Sequence, residues 1–143
     1  MEQFMMYAKA KLFKDEDMAE KIMQAKTPGA AKKCGRLVRG FDEKIWNMHK
    51  REIVYVGCKE KFTQNPEILN KLLSTGNSIL AEATRYDRIW GIGMNSTDIG
   101  VTNPKNWKGQ NLLGYILTQV KMNIKFMEDD KEIYENLYFL SNQ

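Results

Sequence analysis

At Thr27-Pro28 and at Asn65-Pro66 a capping residue is followed at once by proline, and that pairing narrows the folds open to this chain. A Thr or Asn side chain accepts from the free N–H groups of a first helical turn, and proline at the first helical position has no N–H to lose and a φ already close to helical. One start predicts a helix through Ala30 and Ala31 toward Gly35 and Arg36. The other predicts a helix through Ile68, Leu69, Leu72 and Leu73, stopped by Gly76. Asp42 repeats the cap without the proline and opens the longest apolar run, through Ile45, Trp46, Met48, Ile53, Val54, Val56 and Cys58 toward Phe62. Ahead of these, Glu2 to Phe13 reads as a buried helix. Asp15 to Ala25 reads as another, with acids in its first turn and Met18, Ala19, Ile22 and Met23 as its stripe. Behind them, Gly109 to Val120 places Leu112, Leu113, Ile116, Leu117 and Val120 on one face.

Three stretches read differently. Ser78 to Ala83 has the look of a strand, and Asn123 to Met127 and Tyr134 to Leu140 alternate around the acidic turn Glu128-Asp129-Asp130. The expected class is therefore α+β and mainly helical, with about six helices around a small β-sheet. The 143 residues show no internal repeat or linker, so they read as a single domain, 1–143, burying about two thirds of its unfolded surface. Cys34, Cys58 and the single His49 lack metal-ligand spacing, so neither a metal nor a cofactor is expected, and the cysteines read as reduced and structural. No run of about 18 apolar residues and no apolar signal segment is visible, which predicts a cytoplasmic protein with no membrane partner. A net charge of +4 and a pI near 9.0 lean toward phosphate-bearing partners, although acids are interleaved with the bases.

Chemistry concentrates in Thr84-Arg85-Tyr86-Asp87-Arg88-Ile89-Trp90-Gly91-Ile92-Gly93. A carboxylate, two arginines and two aromatics precede glycines that permit close backbone approach, a combination suited to a sugar or nucleotide. Asp87, Arg88, Trp90, Gly91 and Gly93 are its candidate residues. The polar loop Met94 to Lys108 that follows is long enough to suggest function, and Asn111 ends a Gly109-Gln110-Asn111 helix start able to offer backbone N–H groups to an anion. Glu2 and Lys9 are seven apart in the first helix, on one face and roughly 10 Å apart along its axis. Arg36 offers a guanidinium for phosphate or carboxylate. Trp46, read from periodicity alone, is core.

Taken in order, several segments resemble the NADAR family. They are Glu2-Gln3-Phe4-Met5-Met6-Tyr7-Ala8-Lys9-Ala10, Ala25-Lys26-Thr27-Pro28, Gly35-Arg36, Trp46, Lys61-Phe62, Leu72-Leu73-Ser74-Thr75-Gly76, Leu80-Ala81-Glu82, Asp87-Arg88-Ile89-Trp90-Gly91-Ile92-Gly93 and Asn106-Trp107-Lys108-Gly109-Gln110-Asn111-Leu112-Leu113-Gly114. Family members usually begin with a strand and a Leu-Ser-Asn or Phe-Ser-Asn motif ahead of the Glu of the first helix. Here the nearest equivalents are Asn123-Ile124-Lys125-Phe126 and Phe139-Leu140-Ser141-Asn142, near the other end, which predicts a circularly permuted NADAR-like domain. The resemblance implies an N-glycosidase that hydrolyses the ribose C1–N bond of a phosphorylated N-riboside from riboflavin biosynthesis, or of an ADP-ribosyl group on guanine, with ADP-ribosylated nucleic acid as a further partner. It implies Glu2 and Asp87 as catalytic carboxylates and Lys9 as a phosphate ligand or imine-forming amine. Arg36 and Arg88 would hold phosphate, and Trp46 or Trp90 would stack on the base. Tyr138, Phe139, Ser141 and Asn142 would complete the pocket, Ser141 and Asn142 on the ribose hydroxyls. A non-catalytic module that binds ADP-ribose or a related nucleotide is the alternative; it needs the arginines and aromatics but not Glu2.

Overall fold

A computed structural model describes the backbone of residues 1–141 and the side chains of residues 1–132. The chain gathers into two compact units, Met1–Gln64 and Asn65–Gln143. No linker marks the division in sequence; it falls at the start of the Asn65-Pro66 helix, where the expected side-chain capping bond of Asn65 is not made.

The first unit is helical: α1 (Glu2–Leu12), α2 (Glu16–Gln24), α3 (Pro28–Arg36) and α4 (Glu43–Thr63). Thr27 accepts from the Ala30 N–H, and Asp42 from those of Lys44 and Ile45, so both caps act as their sequence predicts. Small residues let the helices approach. Met6, Ala10, Ala19, Ile22, Ala31 and Val38 form the core, Gly35 leaves room for the Met6 side chain, and Gly57 of α4 lies against the Phe4 ring of α1, where a Cβ would come within 2.6 Å. Gln3 reaches across to the end of α2, donating to the carbonyls of Ile22 and Met23 at 3.0 Å and of Ala25 at 3.2 Å. These carbonyls lie at the C-terminal end of α2, where helical N–H partners run out and only Ile22 O also accepts from the Ala25 N–H, so one amide both caps α2 and fixes the rotation of α1.

The second unit holds α5 (Pro66–Ser74), one 3-10 turn (Pro104–Asn106) and α6 (Leu112–Ser141), with long ordered connections between them. Here the structure corrects the sequence reading. No β-strand occurs among the described residues, and both tail segments expected as strands lie within α6, including Ile124 to Phe126. The class is all-helical. Nothing from Tyr115 to Ser141 breaks a helix, since the stretch contains neither glycine nor proline, and the buried Leu112, Ile116, Val120 and Ile124 recur every fourth residue, so the helical period overrides a short alternation. The strand needed to equate residues 123–143 with the family's N-terminal strand is thereby absent among the described residues. Tyr138, Phe139 and Ser141 are placed only by this helical backbone, and Asn142 lies outside the described residues.

Residues 78–83 are extended but have no strand beside them. Their polar groups are met instead by side chains of α6 and of the residue before it: the Leu80 N–H donates to Thr118 Oγ1 at 2.9 Å, and the amide of Asn111 pairs with Leu80 O and Glu82 N, each at 2.9 Å. Lys121 is buried in the same face and donates to Thr75 Oγ1 and Ser78 O. Burial pushes its ammonium below the ordinary lysine range, and Lys125 adds to the shift. No helix among the described residues is long and apolar enough to cross a membrane.

The first unit also contains an ion pair with a pH signature, in which a buried Asp15 meets an exposed Arg39. Asp15 caps α2, accepting from the Met18 N–H, and receives the Arg39 side chain at 2.7 Å and the Arg39 N–H at 2.8 Å. The Arg39 guanidinium and backbone N–H hold its carboxyl well below the usual carboxylate range. A depressed carboxyl lends stability that is complete above its unfolded pKa, near 4, and is lost as pH falls from there toward the folded value. Stability measured by denaturant titration should therefore drop for the wild-type chain below about pH 4, and drop less steeply for Asp15→Asn, which starts lower at neutral pH. Parallel curves for the two chains would remove Asp15 as the source.

Candidate active site

In the first unit, Lys9 is the centre of a small aromatic recess. Its Nζ donates to the Gly35 carbonyl at 2.8 Å, lies 4.2 Å from the centroid of the Phe41 ring and 5.8 Å from that of Trp46. Phe41 is steadied edge-on by Phe13 at 5.4 Å. The half-buried amine therefore sits among one carbonyl and two π faces, with no carboxylate among the contacts that hold it, and desolvation lowers its pKa below that of an ordinary lysine. Burial favours the neutral amine, whereas the ring faces of Phe41 and Trp46 attract the ammonium.

Glu2 lies two helical turns before Lys9 on the same face of α1. Its Oε1 is buried and has no hydrogen-bond partner among the described residues. Buried carboxylate oxygens are rarely left so, because an unmet acceptor costs roughly 1–3 kcal/mol. Trp46 is half-buried within reach of Lys9, as a site residue would be, while Arg36 projects exposed from the end of α3. Phe41 was missed in the sequence. It stands just before the Asp42 cap, where a lone aromatic gives no periodic signal.

The second unit assembles the Thr84–Gly93 segment against the start of α6. Asp87 Oδ1 accepts from the N–H groups of Ile89 and Trp90, at 2.9 and 2.8 Å, and so shapes the turn. The chain from Lys108 to Leu113 is then laced to it by backbone bonds: Lys108 N–H to Ile92 O, Gln110 to Arg88, Asn111 to Gly91, Leu112 to Ile89 and Leu113 to Trp90. A Cβ added at Gly109 would collide with the Gly91 carbonyl oxygen and lie 2.9 Å from Arg88 Cα, so there is no space for a side chain. Gly93 takes a positive φ of 68°. Asn111 is fully buried with a φ of 51°; its amide serves Leu80 and Glu82, and its N–H goes to Gly91, so it builds the site's wall. Arg88 opens onto a cleft of about 650 Å³ that it shares with Arg85 and Lys108. Those last two were not singled out in the sequence, although Arg85 stands inside the central segment and Lys108 ends the loop read as functional. Among the described residues, no group of three or more His, Cys, Asp and Glu side chains is placed to hold a metal ion.

The model of the NADAR domain matches residues 1–125. The chain belongs to the NADAR family. Relatives include N-glycosidase R617 of Acanthamoeba polyphaga mimivirus, 44% identical over 121 residues that make up 84% of this chain and 71% of that protein. Protein irg-1 of Caenorhabditis elegans is 36% identical over 138 residues, 95% of this chain and 65% of that protein. The chloroplastic riboflavin biosynthesis protein PYRR of Zea mays is 34% identical over 112 residues, 76% of this chain but 16% of that protein. This NADAR chain thus spans about two thirds of the length of the first two relatives and a small part of the third. The family match covers Glu2, Lys9, Arg36, Trp46 and the whole Asp87–Asn111 region, and it ends before Tyr138 and Phe139.

The Asn111 clamp can be tested directly. Asn111→Ala strands the half-buried Leu80 carbonyl and Glu82 N–H and puts an alanine at positive φ, so it should destabilise the fold by about 3 kcal/mol. The midpoint of urea unfolding should fall with little change in slope. A loss within experimental error would mean that the 80–82 segment is held by other contacts.

Proposed function

We propose that this NADAR domain is an N-glycosidase that hydrolyses the bond between ribose C1 and a base, with a nucleotide-like, phosphorylated riboside of the riboflavin pathway or an ADP-ribosylated guanine as substrate. The observation that carries the reading is the buried, unpartnered Glu2 carboxylate oxygen on the face of α1 that also bears Lys9. The names of two relatives, an N-glycosidase and a riboflavin biosynthesis protein, support it.

Cleavage of a ribosyl C1–N bond moves its electron pair to the leaving base and builds positive charge on C1 and the ring oxygen. A fixed carboxylate that is not occupied by protein donors stabilises that charge and can take the proton of the attacking water. Glu2 is in that condition. Trp46 and Phe41 offer flat apolar faces to the base or sugar. Lys9 has a second capacity: with its pKa lowered by burial, more of the amine is neutral at a given pH, and a neutral amine can attack C1 of an opened ribose, forming an imine with loss of water that a later water molecule reverses. Asp87 holds the Ile89–Trp90 turn, and in this reading it contributes to binding by shape.

Glu2→Gln preserves size and removes the charge. It should lower base release about 10²–10⁴-fold while leaving nucleotide affinity within a few fold, measured by mass detection of freed base and by calorimetry. Unchanged release with Glu2→Gln would remove Glu2 from the chemistry, and nucleotide binding without any release by the wild-type chain would return the domain to the alternative of a binding module.

Lys9→Arg and Lys9→Met separate charge from nucleophilicity. We expect both to lose base release, because a guanidinium keeps the positive charge but stays protonated near neutral pH. Borohydride added during turnover should trap a sugar adduct on Lys9 of the wild-type chain by reducing the imine. Full activity of Lys9→Arg would limit Lys9 to an electrostatic role.

A further inference from the structure

Phe41 keeps 45% of its surface exposed, so burial of its ring is not what holds it in place. Its neighbours in the chain hold it. Arg39, two residues before, is tied down by its side chain, to Asp15 at 2.7 Å and Asp17 at 2.9 Å, and by its N–H, to Asp15 at 2.8 Å. Asp42, the next residue, is fixed as the cap of α4 by the N–H groups of Lys44 and Ile45. Between these anchors Gly40 takes a φ of 70°, a left-handed turn that L side chains rarely adopt. A Cβ at Gly40 would meet the Phe13 carbonyl oxygen at 3.8 Å, an ordinary contact, so the turn, and not lack of space, asks for glycine there. The ring edge then rests on Phe13 at 5.4 Å.

This strap delivers a ring face 4.2 Å from Lys9 Nζ, the amine that also donates to the Gly35 carbonyl at 2.8 Å. A lysine amine rides on a flexible four-carbon stem and has no fixed place of its own. A carbonyl accepts from the amine in either protonation state, whereas a ring face attracts the charged one. Trp46, at 5.8 Å, acts in the same sense from further away. Burial acts in the opposite sense and lowers the Lys9 pKa. Of the charged groups on the surrounding elements, Asp15 and Arg39 are paired with each other and Asp42 with its helix start, Arg36 is exposed at the end of α3, and Glu2 lies two turns back along α1. The ring contact is therefore strongest with the ammonium and relaxes when the proton passes to solvent, which frees the amine at the moment it becomes a nucleophile.

We propose that Phe41 is a positioning residue for Lys9: its ring, aimed by the Arg39–Gly40 turn and the Asp42 cap, holds the resting ammonium beside the Gly35 carbonyl and releases the neutral amine. That the released amine attacks a ribose C1 rests on the N-glycosidase reading; the hold itself does not.

The rate at which acetic anhydride acetylates Lys9, followed by mass spectrometry across pH and divided by its own alkaline plateau, reports the neutral fraction of the amine without turnover and independently of access. Phe41→Leu keeps an apolar side chain and removes the ring, so the neutral fraction near neutral pH should rise about threefold and the profile should move to lower pH. Phe41→Tyr, which keeps a ring face, should follow the wild-type profile. Gly40→Ala strains the turn that aims the ring and should move the profile as Phe41→Leu does, while Gly40→Asn, which tolerates a left-handed φ, should stay with the wild type. Thermal unfolding of each variant checks that it is folded. A Phe41→Leu profile that coincides with the wild type, whether or not nucleotide affinity falls, overturns the proposal and leaves the ring as a surface for the base or sugar. A profile moved to higher pH also overturns it, since the ring would then act by excluding water. A profile moved to lower pH in a chain that releases no base from any riboside keeps the proposal and sinks the hydrolase reading; base release with an unmoved profile does the reverse.

Discussion

In the second unit, the amide of Asn111 takes the place of a β-strand. It donates to one backbone carbonyl and accepts from an N–H two residues further along, at Leu80 and Glu82, which is what the edge of a neighbouring strand would do for an extended segment. The residue has to be asparagine for two reasons. Its φ of 51° is a left-handed conformation that asparagine tolerates better than most residues, and only an amide carries both donor and acceptor at that reach. Gly114, one turn later, has no Cβ to collide with the Leu80 carbonyl or with the Asn111 amide itself. From this clamp the rest follows: the extended segment is held on α6, and the turn shaped by Asp87 is laced to Lys108–Leu113.

The first unit solves a different problem, the packing of short helices that carry little bulk. Ala10, Ala19, Ala31, Gly35 and Gly57 sit at the crossings, so backbones approach closely and dispersion contacts stand in for large side chains. Close crossings tolerate little rotation. Gln3, tied to three carbonyls at the end of α2, sets the angle of α1 about its own axis, and that angle decides which face presents Glu2 and Lys9.

Charge use separates structure from chemistry. Asp15 is consumed by a helix cap and Arg39, and Asp98 by Arg85 and a backbone N–H, while Asp42 and Asp87 each commit one oxygen, to a helix cap and to a turn. Against that background Glu2 stands apart, with a buried oxygen that no described protein donor meets. Lys9 is its counterpart among the cations, held by a carbonyl and aromatic faces. Lys121 is more deeply buried than Lys9, yet it is met by Thr75 and Ser78 and serves only to join the end of α5 to the extended segment.

The sequence alone determined the first five helices, because their signals are local: a cap at Thr27, Asp42 or Asn65, a proline that fits only a first turn, a glycine that ends one. It also carried the family, through ordered short segments from Glu2 to Gly114. Local pattern failed at residues 78–83 and 123–140, since four or five alternating residues suit a strand or an exposed helix face equally. Tertiary structure decided both. The buried 112, 116, 120, 124 series carried α6 through the tail, and side chains of that helix took up the hydrogen bonds a sheet would have made. The aromatic setting of Lys9 and the joining of Arg85, Arg88 and Lys108 around one cleft were likewise tertiary outcomes. Phe41 lies 32 positions from Lys9 and Lys108 lies 20 from Arg88, and no periodicity spans such distances; only the folded backbone makes those residues neighbours.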